Sequence, residues 1–276
     1  MRFSASKIKT WMECPKQAHF KNVIKLPERQ HAKTTFGTCM HDALEVLNNT
    51  GNLELAIERF KKTWDDPAIL DAEIDIWPQN TSWGELRERG ISSLMKFHED
   101  NRWETRKIIA NEHKFLVPFG EHELTGFVDN IELVGSGKNK ELRIIDYKTS
   151  SYNPTHLELR MNIQFTIYLW ASQQPEFWEP FTNGEELFEA FQDVPRRGVW
   201  YSIWNHKTLD VGPRNDLDIE RLYRVILEIE KAVENEVYVP SVSASSCIWC
   251  PYTNLCPAVI PLAEEVEIAR RERYGN

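Results

Sequence analysis

Asp146-Tyr147-Lys148 is the tripeptide of this chain best able to do chemistry by itself. On an extended strand, residues two apart share a face, so the Asp146 carboxylate and the Lys148 ammonium project together. A second acid, Asp129, lies upstream in Glu123–Val134, a run that reads as a strand. It is joined to the run Leu142–Lys148 by the turn-rich segment Gly135-Ser-Gly-Lys-Asn-Lys140. A loop symmetric about the Gly137–Lys138 bond pairs residues equidistant from it. That sets Asp129 opposite Asp146, with Cβ atoms about 5 Å apart. Two facing anions destabilise a sheet unless a cation lies between them. A divalent ion held by Asp129 and Asp146 beside Lys148 is what water-mediated phosphodiester hydrolysis requires. The ion acidifies its water and neutralises developing charge, while the lysine orients the water or stabilises the attacked phosphate.

Three further groups could join that centre. The segment of about 157–172 reads as a helix with Gln164 and Tyr168 one turn apart on one face. Gln164 there can hydrogen-bond a metal-bound water or a phosphate oxygen, or serve as a satisfied polar edge, and Tyr168 fits the core equally well. His41, among Met40, Ala43 and Leu44, reads more readily as a satisfied core histidine than as a ligand. Glu112, near the start of a third strand over 109–117, is equally open.

The chain holds five cysteines. Cys14 stands alone in Met-Glu-Cys-Pro, while Cys247, Cys250 and Cys256 form a C-x2-C-x5-C knuckle near the other end. Cys14 and Cys256 each precede a proline, which fixes a turn and removes a competing backbone donor. One four-thiolate site joining the two ends of the chain is the expectation, and it suits either a [4Fe–4S] cluster or Zn²⁺. The spacing leans slightly to iron, because a zinc ribbon contributes two C-x2-C pairs. Cys39 reads as a small buried hydrophobe. Free thiols and the lack of an apolar leader predict a reducing cytoplasm.

Composition sets the outer limits. A chain of 276 residues with 41% hydrophobic and 27% charged residues can bury one large core. No run approaches the ~18 apolar residues of a membrane span. Lys and Arg total 33 against 42 Asp and Glu, a net charge of −9, which excludes a basic coat for nucleic acid and confines any DNA contact to a local groove.

The elements that must position these groups follow from periodicity. Helices are expected over about 4–24 with a cap in Ser4-Ala5-Ser6, over 35–48, 53–66 and 83–103, and over 216–236 with Asp216 as its cap. A fourth strand is expected over Gly198–Trp204. The order predicts an α/β fold with a mixed central sheet flanked by helices. We expect one domain over 1–276: a helical part over about 4–105, a catalytic α/β core over about 109–205, and a helix with the cysteine knuckle over about 216–260.

Gly126-Phe-Val-Asp129, Ile144-Ile-Asp-Tyr-Lys148-Thr and Gln164-x3-Tyr168 resemble successive motifs of PD-(D/E)xK nucleases of the RecB-like branch. Phe3-Ser-Ala-Ser-Lys followed by Cys14-Pro and the late knuckle is similar to its iron–sulfur members, among them CRISPR-associated adaptation nucleases and AddB-type nuclease domains. The resemblance spans about residues 3–257 and implies a restriction-endonuclease-like core. It implies that His41, Asp129, Asp146 and the Tyr147 carbonyl ligate Mg²⁺ or Mn²⁺. Lys148 would be the catalytic lysine, with Gln164 and Tyr168 positioning the site or the strand. It also moves the choice at Cys14, Cys247, Cys250 and Cys256 towards [4Fe–4S], with Zn²⁺ as the alternative. The expected activity is a DNA exonuclease working on single-stranded or end-containing DNA. The alternative is a weakly catalytic or non-catalytic scaffold subunit of a recombination or CRISPR-adaptation complex. Protein partners and self-association stay open, and no membrane partner is expected.

Overall fold

The computed structural model describes residues 1–28, 30–66, 74–76, 81–100 and 106–274. The chain opens with strand β1 (Arg2–Ser4), helix α1 (Ala5–Glu13) and the short helix α2 (Pro15–Ala18). Ser4 caps α1 by accepting the Lys7 N–H. The helix ends where Cys14 is extended, at φ −159, ahead of Pro15, which opens α2. Pro15 therefore divides the expected helix over 4–24 and leaves the Cys14 thiol at a bend.

A short strand β2 (Gln30–His31) leads into three helices, α3 (Ala32–Thr50), α4 (Leu53–Trp64) and α5 (Trp83–Asp100), with β3 (Ile74–Ile76) pairing β2 in parallel. The expected extension of α5 to residue 103 lies outside the described residues. Next come β4 (Lys107–Phe119), β5 (His122–Val134) and β6 (Glu141–Lys148). Helices α6 (His156–Met161), α7 (Ile163–Ala171) and α8 (Gly184–Phe191) follow, then β7 (Arg196–Ser202) and β8 (Lys207–Asp210). Helix α9 (Asp216–Glu234), the short α10 (Ala244–Cys247) and α11 (Ala263–Tyr274) complete the described chain.

Strand β5 is the hub of a six-stranded sheet. β4 runs antiparallel along nearly all of one edge. On the other edge, β1 lies parallel to Glu123–Thr125, while β6 lies antiparallel to Asn130–Val134. Among the described residues, the stretch Gly126–Asp129 between them has no ladder partner on that edge. β7 then runs parallel to β6, and β8 antiparallel to β7. The sheet is thus mixed, as expected. Helices cover both faces: Leu142 and Ile144 pack with Ile8, Ile167 and Leu222 of α1, α7 and α9. On the other side Ile145 and Tyr147 pack with Met40, Phe60 and Phe97 of α3, α4 and α5.

The β5–β6 register is the one predicted from symmetry about Gly137–Lys138, with Val134 opposite Glu141 and Asn130 opposite Ile145. The ladder stops there, one step short of Asp129 and Asp146. The expected helix of about 157–172 is two helices. The Asn162 side chain accepts from the Gln164 and Phe165 N–H groups, so it ends α6 and restarts the chain as α7. α9 is capped by Asn215 rather than Asp216, in a reciprocal capping box with Asp218. Strand β7 covers Arg196–Ser202, two residues earlier than expected at each end. β1, β8 and α8 had no counterpart in the sequence reading.

Candidate active site and cysteine cluster

Where the β5–β6 ladder ends, a side chain takes over from the backbone. The Tyr147 N–H donates to Asp129 Oδ2 at 2.5 Å. A strand residue sends its N–H and its C=O to the same side, so the Tyr147 carbonyl also faces the Asp129 edge. The opposite edge of β6 stays in register with β7, where the Ile203 N–H donates to the Lys148 carbonyl at 2.8 Å.

On its other side Asp129 meets Glu112. The β4–β5 pairs flanking it are Asn111 with Asn130 and His113 with Val128, which sets Glu112 across from Asp129. Glu112 has φ 44, the left-handed region that side chains avoid. His41, from α3, closes the group: Nδ1 is 3.4 Å from Glu112 Oε1 and 3.5 Å from Asp129 Oδ1. Ligand-type atoms of His41, Glu112 and Asp129 all lie within 4.8 Å of one another. Burial pulls the His41 pKa down, but hydrogen bonds to Asp129 and Glu112 outweigh it and push the imidazole up to about 10.

Asp146 is almost fully buried, at 1% exposure. Gln164 Nε2 donates to its Oδ1 at 2.9 Å, and Lys148 Nζ lies 2.7 Å from its Oδ2. The ammonium is thus the ion-pair partner of that buried oxygen. Burial pushes the Asp146 carboxyl up to about 6 against the opposing pull of Lys148. Burial lowers the Lys148 pKa, but Asp146 more than offsets it and the ammonium is held above its ordinary value. Gln164 Nε2 also reaches Tyr168 Oη at 2.8 Å, and that hydroxyl donates to the Phe127 carbonyl at 2.5 Å. The i, i+4 pair on α7 thus ties Asp146 to the unladdered stretch of β5.

His41, Glu112, Tyr147 and Lys148 line a cleft of about 690 Å³ together with Lys33 and Phe127, and Asp129 and Asp146 lie buried behind them. The structure brings together every residue expected there, His41, Asp129, Asp146, Tyr147, Lys148, Gln164 and Tyr168, and adds Glu112. A signal for Glu112 lay in the second hairpin. Symmetry about the Gly120–Glu121 turn sets residue 112 opposite Asp129 by the argument that paired Asp129 with Asp146. A donor set of one imidazole and clustered carboxylates, with the Asp146–Lys148 pair beside it, fits a hard or borderline divalent ion.

The four cysteines meet in a second cluster. Cys14, Cys247, Cys250 and Cys256 line one narrow cavity with Phe20, Pro240 and Val259 and with no carboxylate among the lining residues. An all-thiolate set of this kind fits a soft-metal group. The Ser241 N–H donates to Cys14 Sγ at 3.4 Å. Burial, then the charges of the other three thiols, push the Cys250 thiol up to about 11. Phe20 and Leu26 from the N-terminal segment pack with Tyr252, Cys256 and Val259 around the site. Sequence reasoning gave Arg270 no role, yet it is buried and knits the knuckle, donating to the carbonyls of Ile248 and Cys250 at 2.7 Å each. Cys39 is buried in α3, as expected. Trp249 is 38% exposed and faces Lys33, whose Nζ is 5.4 Å from its ring centroid.

No curated protein matches the sequence. Among solved structures, a candidate exonuclease from Eubacterium rectale is 10% identical, with a TM-score of 0.50 over 94% of this chain and 86% of that one. That likeness shows the fold. The crystal structure of SSO0001 is 14% identical over 94% of this chain and 86% of that one, with a TM-score of 0.38, too low to argue from. The sequence profile described as the PD-(D/E)XK nuclease superfamily matches residues 2–257. With its paired acids and lysine on β5 and β6, the chain belongs to the PD-(D/E)XK nuclease superfamily.

Proposed function

We propose that this protein is a divalent-metal-dependent deoxyribonuclease of the RecB-like branch, an exonuclease acting on single-stranded or end-containing DNA. The observation that carries this reading is the convergence of His41, Glu112 and Asp129 within 4.8 Å, beside the Asp146–Lys148 pair. His41, Glu112, Asp129, Asp146 and the Tyr147 carbonyl would hold Mg²⁺ or Mn²⁺, with the imidazole favouring Mn²⁺. When bound, the ion supplies an acidified water and neutralises charge on the attacked phosphate.

The chain's own residues do the rest. Lys148, kept protonated by Asp146, places a fixed positive charge where the pentacovalent phosphorus gathers negative charge. Gln164 holds the Asp146 carboxylate by its amide N–H and presents its Oε1 to Lys148 Nζ at 3.3 Å. Tyr168 fixes that amide in turn. Cys14, Cys247, Cys250 and Cys256 would hold a [4Fe–4S] cluster joining the two ends of the chain, as in the iron–sulfur members of the branch. Zn²⁺ is the alternative at the same four thiols, and a colourless protein would identify it.

End-labelled single- and double-stranded DNA incubated with anaerobically purified protein tests the reading. Shortening that requires Mn²⁺ or Mg²⁺ and stops with EDTA is expected, and the label that survives gives the polarity. A folded, brown protein that leaves both substrates intact with either ion would overturn it in favour of a scaffold subunit.

A further inference from the structure

We infer that Phe127 is a stacking platform for a nucleobase of the strand being cut, an assignment that rests on the nuclease reading above. Phe127 lies two residues before Asp129 on β5, and its ring borders the cleft that also holds His41 and Glu112, the two neighbours of the Asp129 carboxylate. It is 52% exposed, although it sits in the central strand of the sheet and its neighbour Val128 is fully buried. The ring lines the same cleft as His41, Glu112 and Lys148. Nothing apolar covers it among the described aromatic contacts.

The ring is also placed rather than merely left out in solvent. Lys114 stands across from it in the β4–β5 register, and its Nζ is 5.8 Å from the ring centroid. The ammonium lies over one face of the ring, which leaves the other for a base and puts a cation within reach of the adjoining phosphate. Beneath the ring, Tyr168 Oη holds the Phe127 carbonyl at 2.5 Å. Gly126 leaves room for this, since a Cβ there would lie 3.0 Å from the Phe115 ring and 3.1 Å from Tyr168. The Tyr168–Gln164–Asp146 chain therefore sets the platform's position relative to the acid beside the scissile phosphate. A base stacked on Phe127 would hold its own phosphate near the Glu112–Asp129 pair. Stacking reads no hydrogen-bond pattern, so the platform selects for an unpaired strand rather than for a sequence.

The test compares the full-length wild type with Phe127→Ala and Phe127→Tyr on single-stranded oligonucleotides, either ordinary or built of abasic residues. A parallel arm in EDTA follows the fluorescence of a 2-aminopurine oligonucleotide as protein is added. Phe127→Ala should raise KM for ordinary DNA about tenfold, with a smaller effect on kcat, and lose the fluorescence change on binding. It should leave the abasic substrate unaffected, and Phe127→Tyr should behave as wild type. Equal KM values for wild type and Phe127→Ala on ordinary DNA would overturn the platform, as would an equal loss on abasic DNA. If the wild type cuts nothing, the hydrolysis reading fails and the EDTA arm decides. A fluorescence change lost only in Phe127→Ala keeps the platform, and the same signal in both proteins, or none in either, removes it.

Discussion

The Asp129 carboxylate stands in for a backbone carbonyl, accepting the Tyr147 N–H at 2.5 Å where the β5–β6 ladder ends. One oxygen therefore finishes the sheet while the other, Oδ1, faces His41 at 3.5 Å. Asp129 thus joins His41 and Glu112 on one side of the ladder's end, while Asp146 pairs with Lys148 on the other strand.

This double duty separates two substitutions. Asp129→Asn keeps an oxygen for the Tyr147 N–H and should fold normally, yet lose roughly 10³-fold or more in metal-dependent DNA cleavage. Asp129→Ala should lose the same activity and also about 1–3 kcal/mol of stability, because a buried N–H is orphaned. Denaturant titration beside the cleavage assay checks both. Equal stability of the two variants would show that the carboxylate is not closing the ladder.

Glu112 holds φ 44 within a strand. Glycine usually destabilises a strand by roughly 0.5–1 kcal/mol relative to alanine. At this position the order should reverse or vanish, because alanine keeps the strain of the left-handed conformation and glycine does not. Melting of Glu112→Gly and Glu112→Ala measures this. Both variants should also bind Mn²⁺ more weakly than wild type.

His113 is buried, with Nε2 2.7 Å from the Phe177 carbonyl, and burial lowers its pKa despite that hydrogen bond. A histidine whose folded pKa lies below its unfolded value of 6.5 stabilises the fold above that pH. The contribution is lost as pH falls through and below 6.5, when the unfolded chain takes up a proton that the folded chain resists. Raised folded pKa values at His41 and Asp146 slope the other way in wild type and variant alike. The stability His113 adds should therefore be read as the difference between wild type and His113→Phe. That difference should shrink between pH 7 and 5, as the variant loses the acid-side fall. The substitution should also cost about 1–3 kcal/mol at pH 7 by orphaning the Phe177 carbonyl. An unchanged acid slope in the variant would show that other groups carry it.

Cys14 and Cys256 lie at opposite ends of the chain yet line one cavity. A metal group bridging them closes a very long loop, worth roughly 4–5 kcal/mol by the analogy with a crosslink. Cys14→Ala, purified anaerobically, should be colourless and melt well below the wild type. Full retention of colour and melting temperature would remove the clamp.

Much of this site was legible in the sequence because it is built from hairpins, whose registers follow from turn symmetry. Gly137–Lys138 gave the partner of Asp129 on one side, and Gly120–Glu121 would have given Glu112 on the other. The break at Asn162 was harder to see, since apolar spacing runs on through Ile163, Phe165 and Leu169 while one side chain recaps the helix. Arg270 was invisible for another reason. Its partners are carbonyls of the knuckle loop, and no residue type or spacing announces where a carbonyl will point. β1 was missed because three residues cannot display a period, and its place comes from pairing with Glu123–Thr125.

The most direct test of the central claim is anomalous scattering from crystals of the protein soaked in Mn²⁺. The account predicts a manganese peak enclosed by His41, Glu112, Asp129 and Asp146, with the Tyr147 carbonyl beside it and Lys148 facing it. A peak elsewhere, or none at a concentration that supports DNA cleavage, would contradict it.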